Sequence, residues 1–159
     1  MTENRLLELL RERQWKITTA ESCTGGLVAG LLCDISGISA FFEEGYITYS
    51  EGAKEKNLGV SKETIANYGV VSCETAMEMA LGAANRANVQ CAIATTGIAG
   101  PTGGTPETPV GCVCFAWKLA DRMFTDRVIF TGSRMEIRMQ AASYALEKLG
   151  EYLQLEEKE

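Results

Sequence analysis

The stretch ITTAESCTGG, residues 17–26, decides how this chain is read. Its first half, taken back to Trp15 as WKITTA, is short and rich in β-branched residues, which predicts a strand. Its end runs into TGGLVAGLLCDI, residues 24–35, which reads as a buried helix entered through two glycines. Strand, small-residue turn and helix in that order point to a layered α/β arrangement. The turn carries Ser22, and two roles are open to it. Either Ser22 or Thr24 caps the helix by satisfying an orphan N–H, or Ser22 stands exposed above the helix-start N–H groups as a nucleophile. In the second case those donors form an oxyanion hole or hold a phosphate. The stretch is neither a Gly-x-Ser-x-Gly elbow nor a P-loop, because no Gly-Lys-Ser/Thr follows.

Working outward, Leu6, Leu7, Leu9 and Leu10 put an apolar stripe on a first helix over about 2–14. GYITYS (45–50) predicts a second strand, and GAKEKNL (52–58) and SKETIANYG (61–69) two short helices, the latter opened by Ser61. Ser72 caps CETAMEMALGAANRA (73–87), whose composition is strongly helical. VQCAIATTG (89–97) is an apolar strand, followed by the glycine-rich loop IAGPTGGTPETP (98–109), which holds all three prolines. VGCVCFAWKL (110–119) and RMFTDRVIF (122–130) flank Ala120-Asp121 as an antiparallel hairpin. Gly132-Ser133 introduces a long helix, RMEIRMQAASYALEKLGEYL (134–153), before a charged EEKE tail (156–159). Alternating helices and strands followed by a hairpin predict one α/β domain over 1–159 with a mixed sheet, and the glycine loops fall at strand ends, where such sheets bind ligands.

A net charge of −6 without a basic block argues against nucleic acid or a membrane surface as partner. No apolar run approaches about 20 residues, and the charged, amphipathic start is not a signal peptide. The six cysteines show no disulfide rhythm, so they read as reduced thiols in a cytoplasmic protein. With no histidine, and with Cys112 and Cys114 lacking a second ligand pair, no metal or other cofactor is expected.

The absence of histidine also shapes any serine chemistry, since another residue must take the proton. In Tyr49-Ser50-Glu51-Gly52-Ala53-Lys54 the lysine is either solvated or held at a helix start, where the dipole and burial lower its pKa. A neutral lysine can act as base for a serine, with Tyr49 to orient it or relay a proton. The run Thr95-Thr96-Gly97-Ile98-Ala99-Gly100-Pro101-Thr102-Gly103-Gly104 is either a surface loop or a ligand-facing one. Arg134 and Arg138, at i and i+4, form either a solvated face or a phosphate clamp near a helix N-terminus.

The motifs AESCTGG, YSxxAK, TGIAGPTGG, PVG and GxRxxIR, in this order over about 6–153, resemble the CinA C-terminal family, the competence/damage-inducible proteins. The resemblance implies a three-layer α/β/α sandwich and a stand-alone form, since longer members carry a further N-terminal domain. It also implies a Ser–Lys site, because members with known activity are nicotinamide mononucleotide amidohydrolases. By position it makes Ser22, Lys54 and Tyr49 catalytic. It assigns substrate contacts to Cys23, Thr24, Gly25, Gly26, Thr96, Gly97, Gly100, Gly103, Gly104, Arg134 and Arg138. Three positions depart from the family pattern: Glu51 stands where Asn is common, Thr108 where Lys often precedes Pro-Val-Gly, and Ser133 where Asp is common.

The expected function is therefore deamidation of nicotinamide mononucleotide, a small pyridine nucleotide, without a cofactor. The alternative is a nucleotide-binding or regulatory module without turnover, which would need the glycine loops and arginines but not Ser22 with Lys54. A flavodoxin-like protein is a weaker third reading. The sequence leaves a homo-oligomer open.

Overall fold

The computed structural model describes residues 3–156, so Thr2 and the last three residues of the predicted tail lie outside it. Five strands form one mixed sheet: β1 (Ile17–Glu21), β2 (Tyr46–Ile47), β3 (Cys91–Gly97), β4 (Cys112–Leu119) and β5 (Arg122–Ile129). Their order is β2-β1-β3-β4-β5, with β1 parallel to both β2 and β3 and the β3–β4 and β4–β5 pairs antiparallel. The central strands β1, β3 and β4 are buried along almost their whole length because helices cover both of their faces, whereas the edge strand β5 alternates exposed and half-buried residues.

The helices are α1 (Glu3–Arg13), α2 (Leu27–Cys33), α3 (Glu51–Leu58), α4 (Lys62–Tyr68), α5 (Cys73–Ala87) and α6 (Arg134–Glu156). One face of the sheet presents Ile93, Val113, Phe115 and Trp117 to α1, α2 and α6. There α6 offers Ile137, Ala141, Ala145, Leu149 and Leu153, all buried and spaced by four, the period of a single helical face. The Trp117 indole donates to the Ala145 carbonyl at 2.8 Å, which ties that helix to the sheet. The other face presents small residues, Ala20, Ala92, Ala94, Cys114 and Ala116, to the alanine- and methionine-rich α5. The result is a three-layer α/β/α sandwich, as the sequence resemblance implied.

Two elements differ from the sequence expectation, and both differences build the site. The second helix starts at Leu27 instead of Thr24, because Gly25 (φ 56°) and Gly26 (φ 99°) are left-handed and hold residues 22–26 as a tight turn. The second strand shortens to Tyr46–Ile47, since Ser50 already caps α3 by accepting from the Ala53 N–H at 3.1 Å. The parallel strands β1, β2 and β3 all end at the same edge. Their connections leave toward opposite faces, the arrangement that opens a crevice at strand C-termini.

Candidate active site

The turn after β1 is organised by a residue to which the sequence reading gave no role. Glu21 is fully buried, and its carboxylate accepts from the N–H groups of Gly26 (3.2 Å), Val28 (2.8 Å) and Ala29 (3.0 Å). It also accepts from the Thr24 hydroxyl at 2.7 Å, which in turn meets the Thr95 hydroxyl at 2.8 Å. A buried carboxylate saturated by helix-start donors replaces the side-chain cap expected from Ser22 or Thr24. Neither of those residues caps α2, and the N–H groups at its start are not available to a ligand. The donors that remain lie one step earlier. Among the described residues the Thr24 N–H has no partner, and the Cys23 N–H meets only its own thiol.

With the cap supplied by Glu21, the Ser22 hydroxyl is left for another partner. Lys54 comes from the first turns of α3 and is 1% exposed. Its Nζ donates to Ser22 Oγ at 3.0 Å and to the Thr48 carbonyl at 2.6 Å. Burial strips water from the ammonium and lowers the Lys54 pKa to about 8, while Cys23 and Glu51 oppose the shift. The Cys23 thiol beside it is pushed up to about 12 by burial, so it stays neutral and unreactive.

These groups open into a pocket of about 450 Å3. Its walls include Thr96, Gly97, Gly100 and Gly103 from β3 and the following loop, Tyr49 and Glu51 from the start of α3, and Arg134 from the start of α6. Thr96 donates its hydroxyl to the Val70 carbonyl at 2.8 Å, which joins the pocket wall to the segment before α5. Gly97 is required by the sheet itself, since a Cβ there would lie 2.7 Å from the Cys112 carbonyl oxygen. Tyr49 is 55% exposed, and its hydroxyl accepts from Arg134 at 2.9 Å. The lysine is oriented by the Thr48 carbonyl, so the orienting role expected of Tyr49 falls to its neighbour's backbone. Arg134 also donates to the Gly100 carbonyl at 2.7 Å and so bridges two walls of the pocket.

Five expected substrate contacts do not line this pocket: Thr24, Gly25, Gly26, Gly104 and Arg138. The Thr24 side chain is committed to the Glu21 network, which leaves only its backbone N–H for the site. Gly25 and Gly26 supply positive φ, and Gly104 packs where a Cβ would lie 2.7 Å from the Val110 nitrogen. Arg138 turns its guanidinium onto the carbonyls of Cys23 (2.9 Å) and Thr24 (3.2 Å), so it does not stand beside Arg134 on the pocket wall. The N-terminus of α6 is partly occupied by its own cap. Ser133 and Glu136 exchange backbone-to-side-chain hydrogen bonds of 3.2 Å there as a capping box.

The sequence model of the CinA C-terminal domain matches residues 1–153. The chain belongs to the CinA C-terminal domain family. The nicotinamide-nucleotide amidohydrolase PncC of Escherichia coli (strain K12) is 46% identical over 157 residues, covering 94% of this chain and 95% of that protein. A CinA-like protein of Kosmotoga olearia is 48% identical over 145 residues, but this chain spans only 35% of its length. In three dimensions a crystal structure of a CinA superfamily protein from Klebsiella pneumoniae superposes with a TM-score of 0.90 at 41% identity. That match covers 95% of this chain and 94% of the other.

The three departures from the family pattern fall in different places of this CinA domain. Glu51 lines the pocket, Ser133 belongs to the α6 cap, and Thr108 closes a turn with Thr105 outside the pocket. Among the described residues of the domain no three Cys, Asp or Glu side chains converge as a metal-ligand set. No described helix is long and apolar enough to cross a membrane.

Proposed function

We propose that this CinA domain hydrolyses the carboxamide of nicotinamide mononucleotide to nicotinate mononucleotide and ammonia, with Ser22 as nucleophile and Lys54 as its base. One observation carries the reading: the 3.0 Å contact between a buried lysine amine and a serine hydroxyl at a pocket, in a chain without histidine. The substrate comes from the names of its relatives, and the reaction class from the geometry. The whole chain acts as one cytoplasmic domain and needs neither metal nor organic cofactor.

In the productive state Lys54 is neutral, and the 3.0 Å contact runs from the Ser22 hydroxyl to Nζ. Lys54 takes the proton as Ser22 Oγ adds to the amide carbon. The oxyanion is held by the N–H groups of Cys23 and Thr24, one of which is free and the other weakly engaged. A well-placed donor of this kind is worth about 3–4 kcal/mol in the transition state. Lys54 then returns the proton to the departing nitrogen, and ammonia leaves. Water, deprotonated by the same amine, releases the acyl group from Ser22 and restores the starting state. Glu21 takes no part as a base, because both its oxygens accept from α2 and one also from Thr24.

Arg134 and the 100–103 loop bind the phosphate. Arg134 is a pocket-lining guanidinium with donors beyond the two it uses on Gly100 and Tyr49, so it can add a charge-assisted bond to a phosphate oxygen. Arg134→Ala is expected to lower kcat/KM for the mononucleotide roughly 10–100-fold, the worth of one such bond, and to leave the much slower riboside nearly unchanged. Equal losses on both substrates would remove Arg134 from phosphate recognition. The function itself is tested by assaying purified protein for ammonia and nicotinate mononucleotide. Stoichiometric release of both supports the reading, and no release at any pH between 6 and 10 rejects it.

A further inference from the structure

Arg138 lies outside the pocket, yet it grips the turn that carries Ser22. Its Nε donates to the Cys23 carbonyl at 2.9 Å, and one terminal nitrogen donates to the Thr24 carbonyl at 3.2 Å. The Cys23 carbonyl and the Thr24 N–H belong to the same peptide plane, and in a trans peptide they point in opposite directions. A guanidinium holding the carbonyl from outside therefore aims the Thr24 N–H away from itself. The charge on Arg138 also polarises that peptide and makes its N–H a stronger donor.

We propose that Arg138 is a positioning residue for the oxyanion hole: it fixes and polarises the Thr24 N–H from behind. The inference rests on the reading of Ser22 as nucleophile. Glu21 holds the same turn by the Thr24 hydroxyl and the start of α2, so the peptide is pinned from two sides. Gly25 completes the arrangement, since a Cβ there would sit 2.9 Å from the Arg138 nitrogen that bonds Thr24. A helix more than a hundred residues away in sequence thus sets the direction of a donor beside Ser22. Arg138 neither touches Lys54 in this arrangement nor lines the substrate pocket.

The test is the rate at which a fluorophosphonate modifies Ser22, because its phosphoryl oxygen occupies the oxyanion hole whatever the natural substrate is. Serine oxygen bonds to phosphorus, fluoride leaves, and Lys54 takes the proton. Arg138→Ala is expected to slow labelling by about 30-fold, less than the roughly 10²–10³ that outright loss of an oxyanion donor costs, because the N–H remains but is no longer held. Arg138→Lys, which keeps the charge and one donor, should recover part of that loss. The pH midpoint of labelling should stay where it is in the parent protein, since Lys54 is untouched. Should Arg138→Ala fail to fold by circular dichroism, Arg138→Lys alone decides. Rates within threefold of the parent in the folded variants, or a displaced pH midpoint, would overturn the positioning role. A parent labelled at Ser22 that releases no ammonia from the mononucleotide would reject the substrate while leaving this inference tested. A parent not labelled at Ser22 would reject both.

Discussion

Ser22→Ala is expected to lower ammonia release from nicotinamide mononucleotide by about four orders of magnitude or more, the scale of losing a covalent nucleophile. No neighbour can substitute. The Cys23 thiol is 4% exposed and held neutral by burial, and the Ser50 hydroxyl is engaged as the cap of α3. The stability cost is small, because Lys54 keeps the Thr48 carbonyl and only one 3.0 Å hydrogen bond disappears. That is about 1 kcal/mol, a few degrees in Tm for a domain of this size. Parallel turnover assays and thermal melts check both parts, and turnover within tenfold of the parent would end the serine mechanism.

The second large effect is at Lys54. Lys54→Met keeps the length of the buried stem and removes the amine, so turnover should fall by about 10³–10⁴, the upper range for a general base. Stability should hold or rise. A buried amine with a depressed pKa is held at a desolvation cost that an apolar side chain avoids, partly offset by leaving the Thr48 carbonyl unpaired. Lys54→Arg should be nearly as inactive as Lys54→Met although it preserves the charge, because arginine cannot accept the serine proton at neutral pH. Substantial kcat in Lys54→Arg would make the residue an electrostatic anchor instead of a base.

The fold was legible where periodicity was strong. The long helix after Gly132-Ser133, the alanine-rich α5 capped by Ser72 and the hairpin about Ala120-Asp121 all appear as expected. The start of α2 was misplaced because helix propensity cannot see that Gly25 and Gly26 take positive φ. The site was legible only in its side-chain chemistry. Ser22 and Lys54 are suggested by residue type and brought together by β1 and α3, which no local pattern reveals. The Thr48 carbonyl left no signal, since any residue supplies one. Glu21 did leave one: a carboxylate ending an apolar strand must find donors when buried, and the orphan N–H groups of the next helix are the nearest. Arg138 was misjudged because i, i+4 spacing places it beside Arg134 on the helix without telling that its guanidinium bends to the backbone of residues 23 and 24.

In the proposed mechanism Lys54 must be neutral often enough near physiological pH to take the proton of Ser22. The most direct measurement is an NMR titration of protein carrying isotope-labelled lysine side chains, with Lys54 assigned by its loss in Lys54→Met. The Lys54 midpoint is expected at about 8, below the ordinary lysine value. Because the base must be deprotonated, kcat/KM should rise with pH through that same midpoint and level off above it. A Lys54 that titrates with the exposed lysines, while turnover is already at its plateau at neutral pH, would exclude Lys54 as the base.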